Sequence, residues 1–195
     1  MSQDSIAKRR RELHDAYFQE RDLELLDFLK DEEDAQQSLE DDRLQSIAGV
    51  HSPEVLAALK SAGITSSSMT AFMLLPLVRL AWADAKIQDG EFQSILKAAE
   101  EDGIAYGTPS YRLLNRWLEE RPNEKVLEAW YAYARELAAV LDEPSLAAFQ
   151  QATLGRAMRV AQASGGVLGL GEKVSENERH ALHDLEHALT KPKLG

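Results

Sequence analysis

Val126, Leu127, Trp130, Tyr131, Ala134, Leu137, Ala138 and Leu141 recur at i, i+4 and i+7 offsets, an apolar stripe with the period of an α-helix. A chain that spends its apolar residues this way has to bury the stripe against other helices. Tyr111, Leu113, Leu114, Trp117 and Leu118 build a shorter stripe of the same kind. Thr108-Pro109 and Pro122-Asn123 supply helix starts, with proline where its missing N–H costs nothing. Proline and glycine elsewhere fall at spacings that leave helical segments between them, and no segment alternates as a strand would. The pattern predicts an all-α fold, with helices over 44–49, 53–61, 67–84, 89–102, 109–120, 123–142, 144–164 and 176–189. Trp82, Trp117 and Trp130 lie on apolar faces and are expected to anchor the core.

The 195 residues suffice for one good-sized domain, and 44% hydrophobic with 28% charged residues is the balance of a globular chain. Cysteine is absent, which excludes disulfides, thiolate metal sites and cysteine nucleophiles. The Met-Ser-Gln-Asp start has no apolar run behind a basic head, so no secretory signal is expected. The longest apolar stretch, 71–83, is broken by Pro76 and Arg79 and falls short of the roughly 20 residues of a membrane span. A cytoplasmic location is the expectation.

The net charge of −11 is unevenly placed. Residues 12–42 hold thirteen carboxylates against Arg21 and Lys30, so the rest of the chain is close to neutral. Such a chain is repelled by phosphate backbones, and nucleic-acid binding is not expected. The basic cluster Lys8-Arg-Arg-Arg11 reads as a solvated helix face pairing with Glu12 and Asp15. Residues 1–43 are therefore read as a charged helical extension with a thin apolar stripe at Leu13, Tyr17, Leu25, Leu26 and Leu29, laid on the domain or offered to a protein partner. Residues 44–195 form the helical domain.

Residues 81–91, Ala-Trp-Ala-Asp84-Ala-Lys86-Ile87-Gln-Asp89-Gly-Glu91, read as a helix end, an acidic turn and a new helix start. Gln88 stands at the cap, Glu91 three residues on, and Ile87 with Phe92 has the spacing of a hydrophobic staple. A faint copy follows 87 residues later: Lys86-Ile-Gln-Asp-Gly-Glu91 and Lys173-Val-Ser-Glu-Asn-Glu178 share K-[I/V]-x-x-x-E. In the second copy Ser175-x-x-Glu178 is a capping box. Two such halves are expected to pack around one core. Asp84 sits at a helix end, where the dipole disfavours an anion, so a local donor or cation is expected to compensate it.

The first turn resembles the A-x-A-D-G-x-I-x-x-x-E signature of TerB-like (tellurite-resistance) domains, most specifically over 71–102 and more weakly over 156–189. The sequence departs from that pattern at Ala85, where glycine is usual, and at Gln88, where a short acceptor is usual. The resemblance implies a compact multi-helix module of a bacterial stress system. It also implies a candidate divalent-cation site, Ca²⁺ or Mg²⁺, at Asp84, Asp89 and Glu91 with turn carbonyls. An EF-hand register does not fit, because Lys86 falls on the third position and Ile95 on the final glutamate. Gly171 replaces Asp84 in the second copy.

Two other patterns are set aside. His183-Asp-Leu-Glu186-His187 matches H-x-x-E-H, but only eight residues follow to supply a third ligand. His180, His183 and His187 lie opposite the Leu182, Leu185, Leu189 stripe, so they are expected at the surface. Gly-rich 164–171 lacks the preceding strand and glycine order of a nucleotide turn. It reads as an interhelix loop whose Val167, Leu168 and Leu170 offer a contact for a partner or a membrane surface. No Ser/His/Asp set or Schiff-base lysine has local support. The sequence thus points to a non-enzymatic protein-interaction module, with a cation-binding protein centred on 84–91 as the alternative.

Overall fold

A computed structural model describes residues 28, 30–163 and 174–191. The Lys8–Arg11 cluster, the whole N-terminal stripe of Leu13, Tyr17, Leu25, Leu26 and Leu29, and the 164–171 loop lie outside the described residues. The chain divides into two compact units, 1–42 and 43–195. In the first, residues 30–42 are helical, and 30–39 are exposed throughout.

In the second unit every regular element among the described residues is helical. After α1 (43–48) come α2 (Pro53–Ser61), α3 (Met69–Met73), α4 (Leu75–Ala81), α5 (Asp89–Glu101), α6 (Pro109–Glu119), α7 (Glu124–Val140), α8 (Glu143–Ala163) and α9 (Glu176–Ala188). The fold is all-α. Local chemistry sets the starts: Thr108 Oγ1 accepts the Tyr111 N–H at 3.2 Å, and Asn123 Oδ1 accepts that of Val126 at 3.1 Å.

One expected helix is broken. Over 67–84 the structure has a 3₁₀ turn (Ser66–Ser68), then α3, then α4. Pro76 is the cause, since it has no N–H for the Phe72 carbonyl and its ring collides with that carbonyl in a continuous helix. Leu74 instead donates to the Ala71 carbonyl at 3.0 Å, and its own carbonyl takes the N–H groups of Leu77 and Val78. The chain leaves helical geometry again after Ala81, three residues before the expected end.

The core centres on α4, in which every residue but Arg79 is buried. It packs on α8 and α9, while α5 lies on α8 and α2 on α7. Ala157, Val160 and Ala161 of α8 are fully buried, and their small size lets the neighbouring helices approach closely. Three polar ties hold the periphery. Trp82 Nε1 donates to the Trp117 carbonyl at 2.8 Å, and Tyr133 OH to that of Ala48 at 3.0 Å. Arg156 grips Asp102 through two 2.6 Å bonds, a fork geometry that orients α8 on the end of α5. Trp117 and Trp130 are buried as anchors, whereas Trp82 is half-buried and earns its place through that hydrogen bond.

Gly90, in the first turn of α5, lies tightly against the end of α8. A β-carbon there would lie 2.1 Å from the Ala163 carbonyl oxygen at the end of α8. Gly155, inside α8, has nothing within 4 Å of the same position. Gly90→Ala is therefore expected to destabilise the domain by about 1–3 kcal/mol, because the backbone of α8 has to shift. Gly155→Ala is expected to stabilise it by roughly 0.5–1 kcal/mol through helix propensity. Urea midpoints of the two variants check this; midpoints moving in the same direction would contradict the packing described.

Candidate functional site

The two copies of the turn meet. Gln88 and Ser175 are both N-caps in extended conformation, and each leads into a 13-residue helix, α5 and α9. Ile87 and Val174, one residue before each cap, both pack against the core. Glu91 accepts the Gln88 N–H at 2.7 Å, and Glu178 accepts the Ser175 N–H at 2.5 Å. Ser175 Oγ in turn accepts the Glu178 N–H at 3.1 Å, which completes the capping box expected there.

Both glutamates are buried to 2% exposure. Burial pushes the Glu91 carboxyl up to about 7; the Gln88 amide opposes this, while the charge and hydrogen bonding of Glu178 and the charge of Asp84 reinforce it. The equivalent side chains of the repeat thus face each other inside the domain, with Asp84 close by.

Asp84 has found its donors. Its Oδ1 accepts Ser175 Oγ at 3.1 Å and Asn177 Nδ2 at 2.8 Å, so the first turn is tied directly to the start of α9. This answers the dipole penalty at the end of α4 with hydrogen bonds across the repeat. Ala85 follows at φ +61°, the left-handed region that favours glycine.

The structure brings only part of the sequence-derived cation set together. Asp84 lies near enough to Glu91 to raise its pKa, but its carboxylate is exposed and engaged by Ser175 and Asn177. Glu91 turns inward to the cap N–H. Asp89 stands exposed at the first position of α5. Among the described residues no group of three or more His, Asp or Glu side chains is gathered in a way that could hold a metal ion. His180, His183 and His187 are exposed, in keeping with a core stripe on the other side of α9.

Reading the sequence missed Glu178 as the partner of Glu91, and Ser175 with Asn177 as the donors to Asp84. The one signal in the sequence was the shared K-[I/V]-x-x-x-E pattern, which puts Glu91 and Glu178 at equivalent positions. No protein-family model, curated protein or solved structure matches the chain.

The raised Glu91 pKa has a definite consequence for stability. The folded protein keeps this proton up to about pH 7, whereas the unfolded chain releases it near 4.5. Between those values the folded state binds more protons, so stability falls as pH rises through that window. Glu91→Gln keeps an acceptor for the cap N–H but cannot titrate. The variant is expected to show a flatter decline in urea midpoint between pH 4.5 and 7. Identical pH profiles for the two proteins would refute the buried-carboxyl assignment.

Proposed function

We propose that the chain is a TerB-like protein-interaction module of a bacterial stress-response system, working in the cytoplasm without catalysis. The observation that carries this reading is the helical segment 30–42. It bears seven carboxylates and one lysine, and Leu39 stands 57% exposed among them. Packing does not account for this charge, since 30–39 bury nothing. An acidic helix with an apolar residue on its surface suits a basic, partly apolar protein partner. The turn geometry lends support to the family resemblance. Ala85 adopts the glycine-type conformation at the position where the TerB-like signature has glycine. Among the described residues no helix is long and apolar enough to cross a membrane.

The experiment uses the full chain with Asp31→Asn, Glu32→Gln, Glu33→Gln and Asp34→Asn combined. The wild type is expected to retain specific proteins from a bacterial cytoplasmic extract, with retention falling as NaCl is raised. The variant is expected to lose them while keeping its melting temperature. Retention of the same proteins by the variant would sink the proposal.

A second reading, a Ca²⁺- or Mg²⁺-binding protein, is favoured by the crowding of Asp84 and Glu178 around Glu91. A cation there would offset the charge of Asp84 and take the place of the proton held by Glu91. Under this reading millimolar Ca²⁺ or Mg²⁺ shifts the amides of 84–91 and raises the melting temperature by mass action, and Asp84→Asn abolishes both. We expect the interaction reading to hold, with NaCl of equal ionic strength reproducing whatever the divalent ion does. A saturable isotherm dependent on Asp84 would reverse that order.

A further inference from the structure

We propose that the recess walled by Tyr106 and Tyr111 binds an alkylated ammonium group, either on a small molecule or on a methylated lysine of a peptide. The recess encloses about 290 Å³ between α5 and α6. The two rings stand 4.9 Å apart, centroid to centroid, and are inclined at 55°, so they form two walls of a corner rather than a flat stack. Leu96, Ile104 and Leu114 give the recess its apolar lining, and Glu100 supplies the one carboxylate among its lining residues.

The loop presents Tyr106 in a fixed way. Gly103 and Gly107 bracket it in left-handed conformations, at φ +74° and +79°. Thr108 Oγ1 closes the turn onto the Ala105 carbonyl at 2.8 Å. Arg112, the neighbouring cation, is drawn to the Gly107 carbonyl and does not line the recess. Tyr106 is 87% exposed, the most exposed of the large apolar side chains among the described residues, and it lines the recess.

The chemistry of these walls selects the ligand. A tyrosine face attracts a cation through its ring quadrupole, and a carboxylate adds charge of the right sign. A bare ammonium is strongly hydrated, and a lining whose polar members are Glu100, Asn115 and the two tyrosine hydroxyls, with the rest apolar, does not replace its water shell. An alkylated ammonium spreads its charge over methyl groups, which rest on Leu96 and Ile104 while facing the rings. The volume accommodates such a head with part of its tether.

The test follows the ring-proton resonances of Tyr106 and Tyr111 in the full chain. The probes are choline, N-acetyl-trimethyllysine amide and 3,3-dimethylbutan-1-ol, the neutral isostere of choline. Saturable shifts are expected with at least one cation and not with the alcohol. Stronger binding of the lysine derivative would place the group on a protein, stronger binding of choline on a small molecule. Tyr106→Ala, at an exposed site, is expected to weaken binding by about three- to thirtyfold. Glu100→Gln is expected to weaken it by about two- to fivefold. Equal shifts with the alcohol, no saturable shift with either cation, or binding unchanged in Tyr106→Ala would overturn the proposal.

Discussion

The seven-residue α4 holds this fold together because all of it but Arg79 is buried. A helix this short has no stability of its own in water. With Leu75, Leu77, Val78, Leu80 and Ala81 all inside, it exists only when its neighbours surround it. That demand explains the composition of α8, which offers alanine and valine where it meets the centre. It also sets what happens at both ends of α4. At the start, Pro76 forces a break that lets α3 turn aside towards α6. At the end, the chain has to escape from the middle of the domain within a few residues, which is the task of the acidic turn.

The turn meets this demand by borrowing from the other half of the repeat. Its aspartate is hydrogen-bonded by Ser175 and Asn177 at the start of α9, and its glutamate shares a buried space with the equivalent glutamate of α9. A capping interaction is worth about 0.5–2 kcal/mol. Burying an ionised carboxylate opposes that gain, and a second carboxylate beside it opposes it further. Keeping a proton on Glu91 resolves the conflict, because a protonated carboxyl can donate to its neighbour while still accepting the cap N–H. The two caps thus meet at one proton, held on Glu91 beside Glu178.

Helix periodicity made the all-α class legible, and cap residues such as Thr108, Asn123 and Ser175 fixed several helix starts. These are local signals, readable within one turn of chain. The break at Leu74 was legible in principle through Pro76, but the surrounding apolar residues masked it, since a helix buried all round shows no stripe to interrupt. The convergence of Glu91, Glu178 and Asp84 was not readable from either turn alone. Each glutamate had a sufficient local explanation as a capping residue, and their meeting depends on how α4, α8 and α9 pack. The Tyr106–Tyr111 corner was invisible for a related reason: Tyr106 belongs to no stripe, and its placement rests on two glycines in left-handed conformation.

Because the acidic turn is satisfied from within, chemistry with other molecules has to be sought on features that face outward. The helical segment 30–42 and the tyrosine recess are both such features, and under the two proposals each selects positive charge by different physics. Long-range attraction to the helix is screened within about 8 Å at physiological ionic strength. A cation seated against two rings is held at contact distance, where salt competes poorly. The two modes therefore separate by salt dependence. Binding that fades steeply with NaCl belongs to the helix, whereas binding that persists belongs to the recess. A partner using both would show a steep loss down to a salt-resistant residue of affinity, and Tyr106→Ala would remove only that residue.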